Sequence, residues 1–308
     1  MTHTAVRRIH RCLLFVPGSR PELLEKAHRS GADALIFDLE DSVPANAKQQ
    51  ARRHVVEALR RPEGLPVIVR ANNADPHDLA ADIEALAAAG PSLLEGILLP
   101  KAVDAAAVQT LTVLLTELES SSGVKSESLG IIPLIEDCLG LRNVFEIASA
   151  SPRVAGIGLA SAEEGDMIAD LGGHWTPDSS VLMYPRGRLV CEARAAGIEW
   201  LIDGAFMNLA DDAALRREAI MARNMGFVAK MAIHPSQIPT ILETYSPTEE
   251  QIEDARQLVS AFQAAEADGR GAIKHQGKMV DRANIRVARR VLSLAPQSAT
   301  RASPAEAS

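Results

Sequence analysis

The stretch ALIFDLEDSVP, residues 34–44, passes from an apolar run into three acids, Asp38, Glu40 and Asp41, and then into a turn with a proline. A short run rich in apolar and aromatic residues, bounded by turn residues, reads as a buried strand. Acids packed at its end require either solvent or a positive partner. The same kind of run recurs along the chain, at Leu13–Val16, Ala34–Asp38, Pro66–Arg70, Gly96–Leu99, Ile131–Ile135, Val154–Leu159, Trp200–Ile202 and Ala229–Ile233. Amphipathic stretches rich in Ala, Leu, Glu and Arg lie between most of them: Pro21–Arg29, Ala45–Arg60, Pro76–Ala89, Val103–Glu119, Leu139–Ala150, Arg186–Ala196 and Ala213–Met225. Gly31, Gly64, Gly90, Gly197 and Gly226 stand where helices should end. Eight strand–helix units predict an α/β fold, a (β/α)8 TIM barrel, with a doubly wound sheet as the competing arrangement. The pattern assigns residues 1–245 to the barrel and 246–294 to a C-terminal helical extension, with helices at Pro247–Ala264 and Ala283–Ser293. Residues 295–308 (APQSATRASPAEAS) read as a disordered tail.

The 308 residues carry a net charge of −8, which argues against nucleic acid as the main partner while leaving room for a small anion in a locally basic pocket. Three cysteines, Cys12, Cys138 and Cys191, form no CxxC and read as reduced, buried thiols of a cytoplasmic protein. No run approaches the roughly 20 apolar residues of a membrane span. The basic N-terminus, MTHTAVRRIHR, lacks the apolar core of a signal peptide.

In a barrel of this kind chemistry sits where the strands end. The exits read Pro17-Gly18-Ser19-Arg20, then Asp38 with Glu40 and Asp41, then Arg70-Ala71-Asn72-Asn73, then Pro100-Lys101. Glu136-Asp137, then Glu163, Glu164 and Asp166, and finally His234-Pro235-Ser236-Gln237 follow later strands. Glu136 and Asp166 leave neighbouring strands, which lie about 4.8 Å apart in a sheet. Two carboxylates so close repel unless a cation lies between them, and Mg²⁺ needs only one or two protein carboxylates. A solvated loop, or salt bridges to Arg70 or Lys101, is the alternative, and Glu163 competes with Asp166 for the second position. Arg70 would aim a planar fork at a carboxylate, or pair with Asp38 or Asp41. Lys101 reads as a charge partner of the acids or as a Schiff-base lysine. His234, before a proline, reads equally as a structural hydrogen-bonder.

Nine stretches in order, from RCLLFVPGSRPELLEKA and GADALIFDLEDSVPANAKQQAR through VIVRANN, GILLPKA, PLIED, DMIADLG, ARAAGIEWLIDG and MGFVAKMAIHPSQI to GKMVDRANIRVA, make the chain resemble the HpcH/HpaI aldolase and citrate lyase β-subunit family, in its citrate lyase β-like branch. The resemblance runs from residue 11 to about 293. It implies a barrel, trimeric or hexameric, that binds Mg²⁺ and a CoA thioester. Glu136 and Asp166 take the places of the metal ligands, and Asp38 and Asp41 would hold water on the metal. Arg70 would bind the carboxylate or carbonyl of the substrate, Arg20 and Lys26 would face the anionic CoA or acyl end, and the backbone at Ile233 and His234 would line the thioester pocket. Asp281 resembles an acid supplied by the C-terminal segment, often to a neighbouring subunit; otherwise it is a helix N-cap.

The implied reaction is reversible Claisen or aldol-type cleavage of a 3-hydroxyacyl-CoA, such as malyl-, citramalyl- or citryl-CoA, into an acyl-CoA and a keto acid. An acyl-CoA thioesterase, a carrier-dependent citrate lyase β subunit, a Schiff-base aldolase through Lys101 and a non-enzymatic barrel are the rivals. Three departures from the family pattern leave the fold unaffected; the first bears on the second metal ligand and the other two on substrate. LASAEEGD is about three residues longer than usual, Met183-Tyr184-Pro185-Arg186 replaces a hydrophobic-Tyr-Ala-Arg run, and Cys12 replaces a serine.

Overall fold

The computed structural model describes residues 9–73, 75–90, 93–267 and 269–295. The tail beyond residue 295 and the basic N-terminus through residue 8 lie outside the described residues. The chain divides into two compact units, with the boundary between Thr244 and Tyr245.

The first unit is a closed parallel barrel in sequential order. Its strands are β1 (Cys12–Pro17), β2 (Ala34–Asp38), β3 (Val67–Arg70), β4 (Leu94–Leu99), β5 (Gly130–Ile135), β6 (Gly156–Leu159), β7 (Trp200–Asp203) and β8 (Ala229–Ala232). The barrel closes where Cys12, Leu13 and Leu14 pair with Lys230, Met231 and Ala232. Strands covered on both faces need continuous apolar runs, and β2 and β5 are buried at every position. The sixth strand begins two residues later than its apolar run suggests, because Val154 makes only an isolated bridge to Ile131.

The helices of this unit are α1 (Pro21–Ala27), α2 (Lys48–Leu59), α3 (Pro76–Ala87), α4 (Ala105–Ser122), α5 (Cys138–Arg142), α6 (Val144–Ser149), α7 (Asp166–Leu171), α8 (Met183–Ala195) and α9 (Asp212–Met225). A tenth, α10 (Ile238–Tyr245), reaches the boundary. The amphipathic stretch 139–150 is two helices rather than one, because Asn143 leaves helical geometry at φ −101° and ψ 17°. Asp75, Asp104, Asp137 and Asp211 cap α3, α4, α5 and α9, each accepting from a backbone N–H of the first turn. Gly31, Gly90, Gly197 and Gly226 take left-handed φ as helix ends require; Gly64 does not, and packs against the His28 ring instead. Only Cys12 of the three thiols is buried. Cys138 opens α5 and Cys191 lies on α8, both exposed, and all three are free.

In the second unit α11 (Glu249–Ala267) and α12 (Arg282–Ser293) enclose a small core of Phe262, Val280 and Ile285. The glycine-containing segment between them is a hairpin, β9 (Ile273–His275) against β10 (Lys278–Val280), antiparallel. Its two-residue turn, Gln276-Gly277, has both φ angles positive (45° and 79°), the geometry that matches strand twist. No described helix is long and apolar enough to cross a membrane.

Candidate active site

Register places the first charged pair. Asp38 ends β2 opposite Arg70, which ends β3, so both side chains leave the same rim of the barrel. The guanidinium grips Asp38 with two bonds, Nε to Oδ1 at 2.7 Å and Nη2 to Oδ2 at 2.8 Å. Asp38 also accepts from the backbone N–H groups of Glu40 (2.9 Å) and Ser42 (3.1 Å), which folds the acidic segment back on itself. The turn before α1 packs directly on this strand end: Gly18 N donates to Asp38 O at 2.8 Å, and a Cβ at Gly18 would fall 2.6 Å from that oxygen. Arg70 reaches on through Nη1 to Glu40 (3.1 Å) and Asp41 (3.6 Å) and lies 4.9 Å from the centre of the Phe15 ring.

Lys101, two residues beyond β4 and in left-handed conformation (φ 49°), joins the cluster from the other side. Its ammonium contacts Glu40 closely and lies 3.4 Å from Asp41, while its backbone N–H donates to Glu136 Oε1 at 3.0 Å. Burial works against the Lys101 charge, but Glu40 and Asp41 outweigh it and hold the amine well above its ordinary pKa. It is therefore a cation and not a free nucleophilic amine.

The acids behave differently from one another. Burial pushes the Asp38 carboxyl up, but Arg70 and the two backbone donors more than reverse this, and Asp38 stays ionised well below the usual range. Glu40 goes the other way, because desolvation exceeds the help from Arg70 and Lys101. Its Oε2 accepts no hydrogen bond although Arg70 is near. Glu136 is pushed up to about 7, chiefly by burial, with the Glu40 charge adding to it against the Lys101 N–H.

Asp38, Asp41, Arg70, Glu136 and Asp166 line one cavity of about 430 Å³ at the C-terminal end of the barrel. Its remaining wall is largely apolar, with Phe15, Leu134, Met207, Met231 and Ile233. Asp166, the first residue of α7, faces this space, whereas Glu163 is not among the lining residues. Five carboxylates, with Glu40 counted, thus meet two cations at this rim. The surplus negative charge, the raised Glu136 and the Glu40 oxygen without a hydrogen bond fit a bound divalent cation. The described residues hold no metal-binding cluster of three or more His, Cys, Asp or Glu side chains.

Other expected residues are placed elsewhere. The oxygens of Asp38 accept from Arg70 and from the backbone N–H groups of Glu40 and Ser42, and Asp38 still lines the cavity. Arg20 is exposed and pairs with Glu22 at 2.6 Å, and Lys26 is exposed in the last turn of α1; neither lines the cavity. Ile233 lines the cavity, but its N–H is committed to Gln237 Oε1 at 2.9 Å. His234 is exposed and caps the following turn, its Nδ1 accepting from Ser236 N at 3.2 Å. Asp281 caps α12 in a reciprocal box: its Oδ1 accepts from Ala283 N, and Asn284 Oδ1 accepts from Asp281 N. Asp203 and Lys230 carry no signal in the sequence. The one acid closes the apolar run WLID and the other is a lone lysine inside VAKMAI, and both are fully buried.

A model of the HpcH/HpaI aldolase/citrate lyase family matches residues 11–235. The chain belongs to this family. A second model, of C–C bond lyases of the TIM-barrel fold, matches residues 188–297. Among relatives of this citrate lyase-like chain, the citrate lyase subunit beta of Leuconostoc mesenteroides subsp. cremoris is 38% identical over 290 residues, covering 94% of each chain. The L-malyl-CoA/beta-methylmalyl-CoA lyase of Rhodobacter capsulatus is 34% identical over 303 residues, covering 92% of this chain and 94% of the relative. Among solved structures, CitE from Mycobacterium tuberculosis in complex with magnesium, acetoacetate and coenzyme A matches at TM-score 0.69 and 32% identity, over 92% of this chain and 97% of that one. This member of the family is a carbon–carbon lyase on a (β/α)8 barrel.

Proposed function

We propose that the chain is a Mg²⁺-dependent lyase that cleaves a 3-hydroxyacyl-CoA, such as malyl-, citramalyl- or citryl-CoA, into an acyl-CoA and a 2-oxo acid. The observation that carries this reading is the meeting of Glu136, Asp166 and Arg70 on one half-apolar cavity. The magnesium and coenzyme A held by the related CitE, and the thioester substrate in the name of the malyl-CoA lyase relative, support it.

Glu136 and Asp166 would hold the ion, which supplies Lewis-acid polarisation of the substrate oxygens. Arg70, locked by Asp38, orients the carboxylate of the substrate with the donor hydrogens it has left. Phe15, Leu134 and Met231 exclude water from the reacting carbon atoms. In the cleavage direction a general base takes the proton of the substrate hydroxyl and the C–C bond breaks. The hydroxyl carbon becomes the keto carbon, and the electron pair passes to the thioester enolate. Asp281, supplied by the C-terminal segment of a neighbouring subunit in a homo-oligomer, then returns a proton to the enolate carbon. In condensation it removes that proton. Arg20, just before α1, and Lys26, in its last turn, lie outside the cavity and would meet the phosphates of CoA.

Asp281→Asn tests the assignment. Turnover should be lost while Mg²⁺-dependent binding of a keto acid such as pyruvate or oxaloacetate, followed by calorimetry, persists. A folded variant that no longer binds the keto acid would place Asp281 in binding rather than proton transfer. The protonated Lys101 argues against a Schiff-base route, and borohydride with keto acid should trap no adduct.

A further inference from the structure

Four charged side chains lie buried between the barrel and its outer helices, unused by the chemistry above: Arg186 of α8, Asp203 of β7, Glu218 of α9 and Lys230 of β8. Arg186 Nε and Lys230 Nζ meet Asp203 at 2.9 and 2.6 Å, and Lys230 also meets Glu218 at 2.8 Å. Two cations balance two anions, so the cluster is neutral and Asp203 is held from three directions.

Two buried hydroxyls close the cluster. Ser179 Oγ donates to Glu218 Oε2 at 2.9 Å. Ser161 Oγ donates to Asp203 Oδ1 at 2.8 Å, and it also accepts from Gly204 N at 2.9 Å. Ser161 lies two residues past β6, and Gly204 is the first residue past β7. Their contact is so close that a Cβ on Gly204 would lie 2.5 Å from Ser161 N. The neighbours of Ser161, Ala160 and Ala162, line the cavity, as do Gly204 and Ala205. Beyond Ser161 the chain makes one tight turn, with Glu164 at φ 58° and Gly165 N bonded to Ala162 O at 3.1 Å, and then begins α7 at Asp166. α7 is also held by its buried Met167 and Ile168 and by a bond from Cys138 N to Asp170 Oδ2 at 2.7 Å that is exposed to water.

We propose that Ser161 is a positioning residue of the metal site. Its hydroxyl, gripped between Asp203 and Gly204, fixes the segment that brings Asp166 into the cavity with Glu136. The inference rests on the reading of Glu136 and Asp166 as the Mg²⁺ carboxylates. A hydrogen bond to an ionised carboxylate is stronger than a neutral one, and Asp203 is itself held rigid, so the anchor transmits little play. Asp166 is only five residues downstream, and groups that orient metal ligands are worth about 10- to 100-fold in metal affinity.

Ser179 supplies the control, since it makes the same kind of bond to the same cluster but, unlike Ser161, has no flanking residue in the cavity wall. Mg²⁺ alone would be titrated into the full-length chain by calorimetry, for wild type, Ser161→Ala and Ser179→Ala, with thermal unfolding in parallel. Ser161→Ala should weaken Mg²⁺ about tenfold or more, while Ser179→Ala loses comparable thermal stability and stays within about twofold of wild type for Mg²⁺. Should Ser161→Ala fold poorly, Ser161→Gly removes the hydroxyl without adding bulk and allows the same comparison. Equal weakening in both variants, or Mg²⁺ binding by Ser161→Ala that matches wild type, would overturn the proposal. Wild-type protein that takes up no Mg²⁺ would overturn the metal reading and this inference with it.

Discussion

Lys230→Met removes one charge from a place with no water. Lys230, Asp203 and Arg186 are all 0% exposed, and Lys230 is bonded to two carboxylates. Methionine retains most of the buried stem, so packing changes little and the effect is electrostatic. Asp203 and Glu218 are then left with Arg186 alone, one negative charge in excess. Breaking a buried pair by deleting one partner costs about 3–5 kcal/mol, because the charge left behind has lost its compensation. At about 2–4 °C per kcal/mol for a domain of this size, melting should fall by roughly 6–20 °C. The charge argument also predicts a rescue. In Lys230→Met/Glu218→Gln the cluster is neutral again, the amide oxygen introduced on α9 can still accept the Ser179 hydroxyl, and more than half of the loss should return. The deficit of the single variant should narrow as pH falls, because the surplus carboxylate has a raised pKa and its protonation then favours the folded state. Thermal melting, together with urea unfolding of the two variants and wild type at pH 5 and 8, measures all of this. A loss below about 1 kcal/mol, or a double variant no more stable than the single one, would refute the reasoning.

Glu136→Gln should abolish Mg²⁺ binding yet stabilise the metal-free protein above pH 7. Holding a buried carboxyl near 7 costs the charged form up to about 3 kcal/mol, and differential scanning calorimetry with EDTA reads the gain. Arg70→Lys should lower kcat/KM about 100-fold with Mg²⁺ affinity retained, because a point charge cannot reproduce the two-bond grip on Asp38. On the acid side, Asp33, Asp38 and Asp203 all have lowered pKa values, through Arg11, Arg70 and the Arg186–Lys230 pair respectively. Their contribution is present above the unfolded value of about 3.9 and is lost as pH falls through the folded values, so unfolding free energy should drop steeply below about pH 4. Asp33→Asn, measured by urea unfolding, should flatten that slope.

The barrel is legible in the sequence because most strands are continuous apolar runs ended by polar or turn residues, and burial on both faces demands such runs. The acids after Phe37 are likewise legible as rim residues, since a buried strand cannot carry them. What they pair with is not: only the register of β2 against β3 shows that Asp38 and Arg70 satisfy each other. The Arg186–Asp203–Glu218–Lys230 cluster is not legible in the sequence because its members come from four elements and each looks like an isolated charge in its own segment. The break at Asn143 is hidden by Leu141, Val144 and Ile147, which carry one apolar stripe across it. The hairpin 273–280 is hidden for the opposite reason: three-residue strands carrying Lys and His show no period to read.

The most direct test of the lyase assignment is to incubate the purified chain with Mg²⁺ and malyl-, citramalyl- and citryl-CoA, and to follow products by mass spectrometry with and without EDTA. The account predicts an acyl-CoA and one 2-oxo acid in equal amounts from at least one thioester, lost with EDTA and restored by excess Mg²⁺. Free CoA with an intact hydroxy acid, or cleavage indifferent to EDTA, would contradict it.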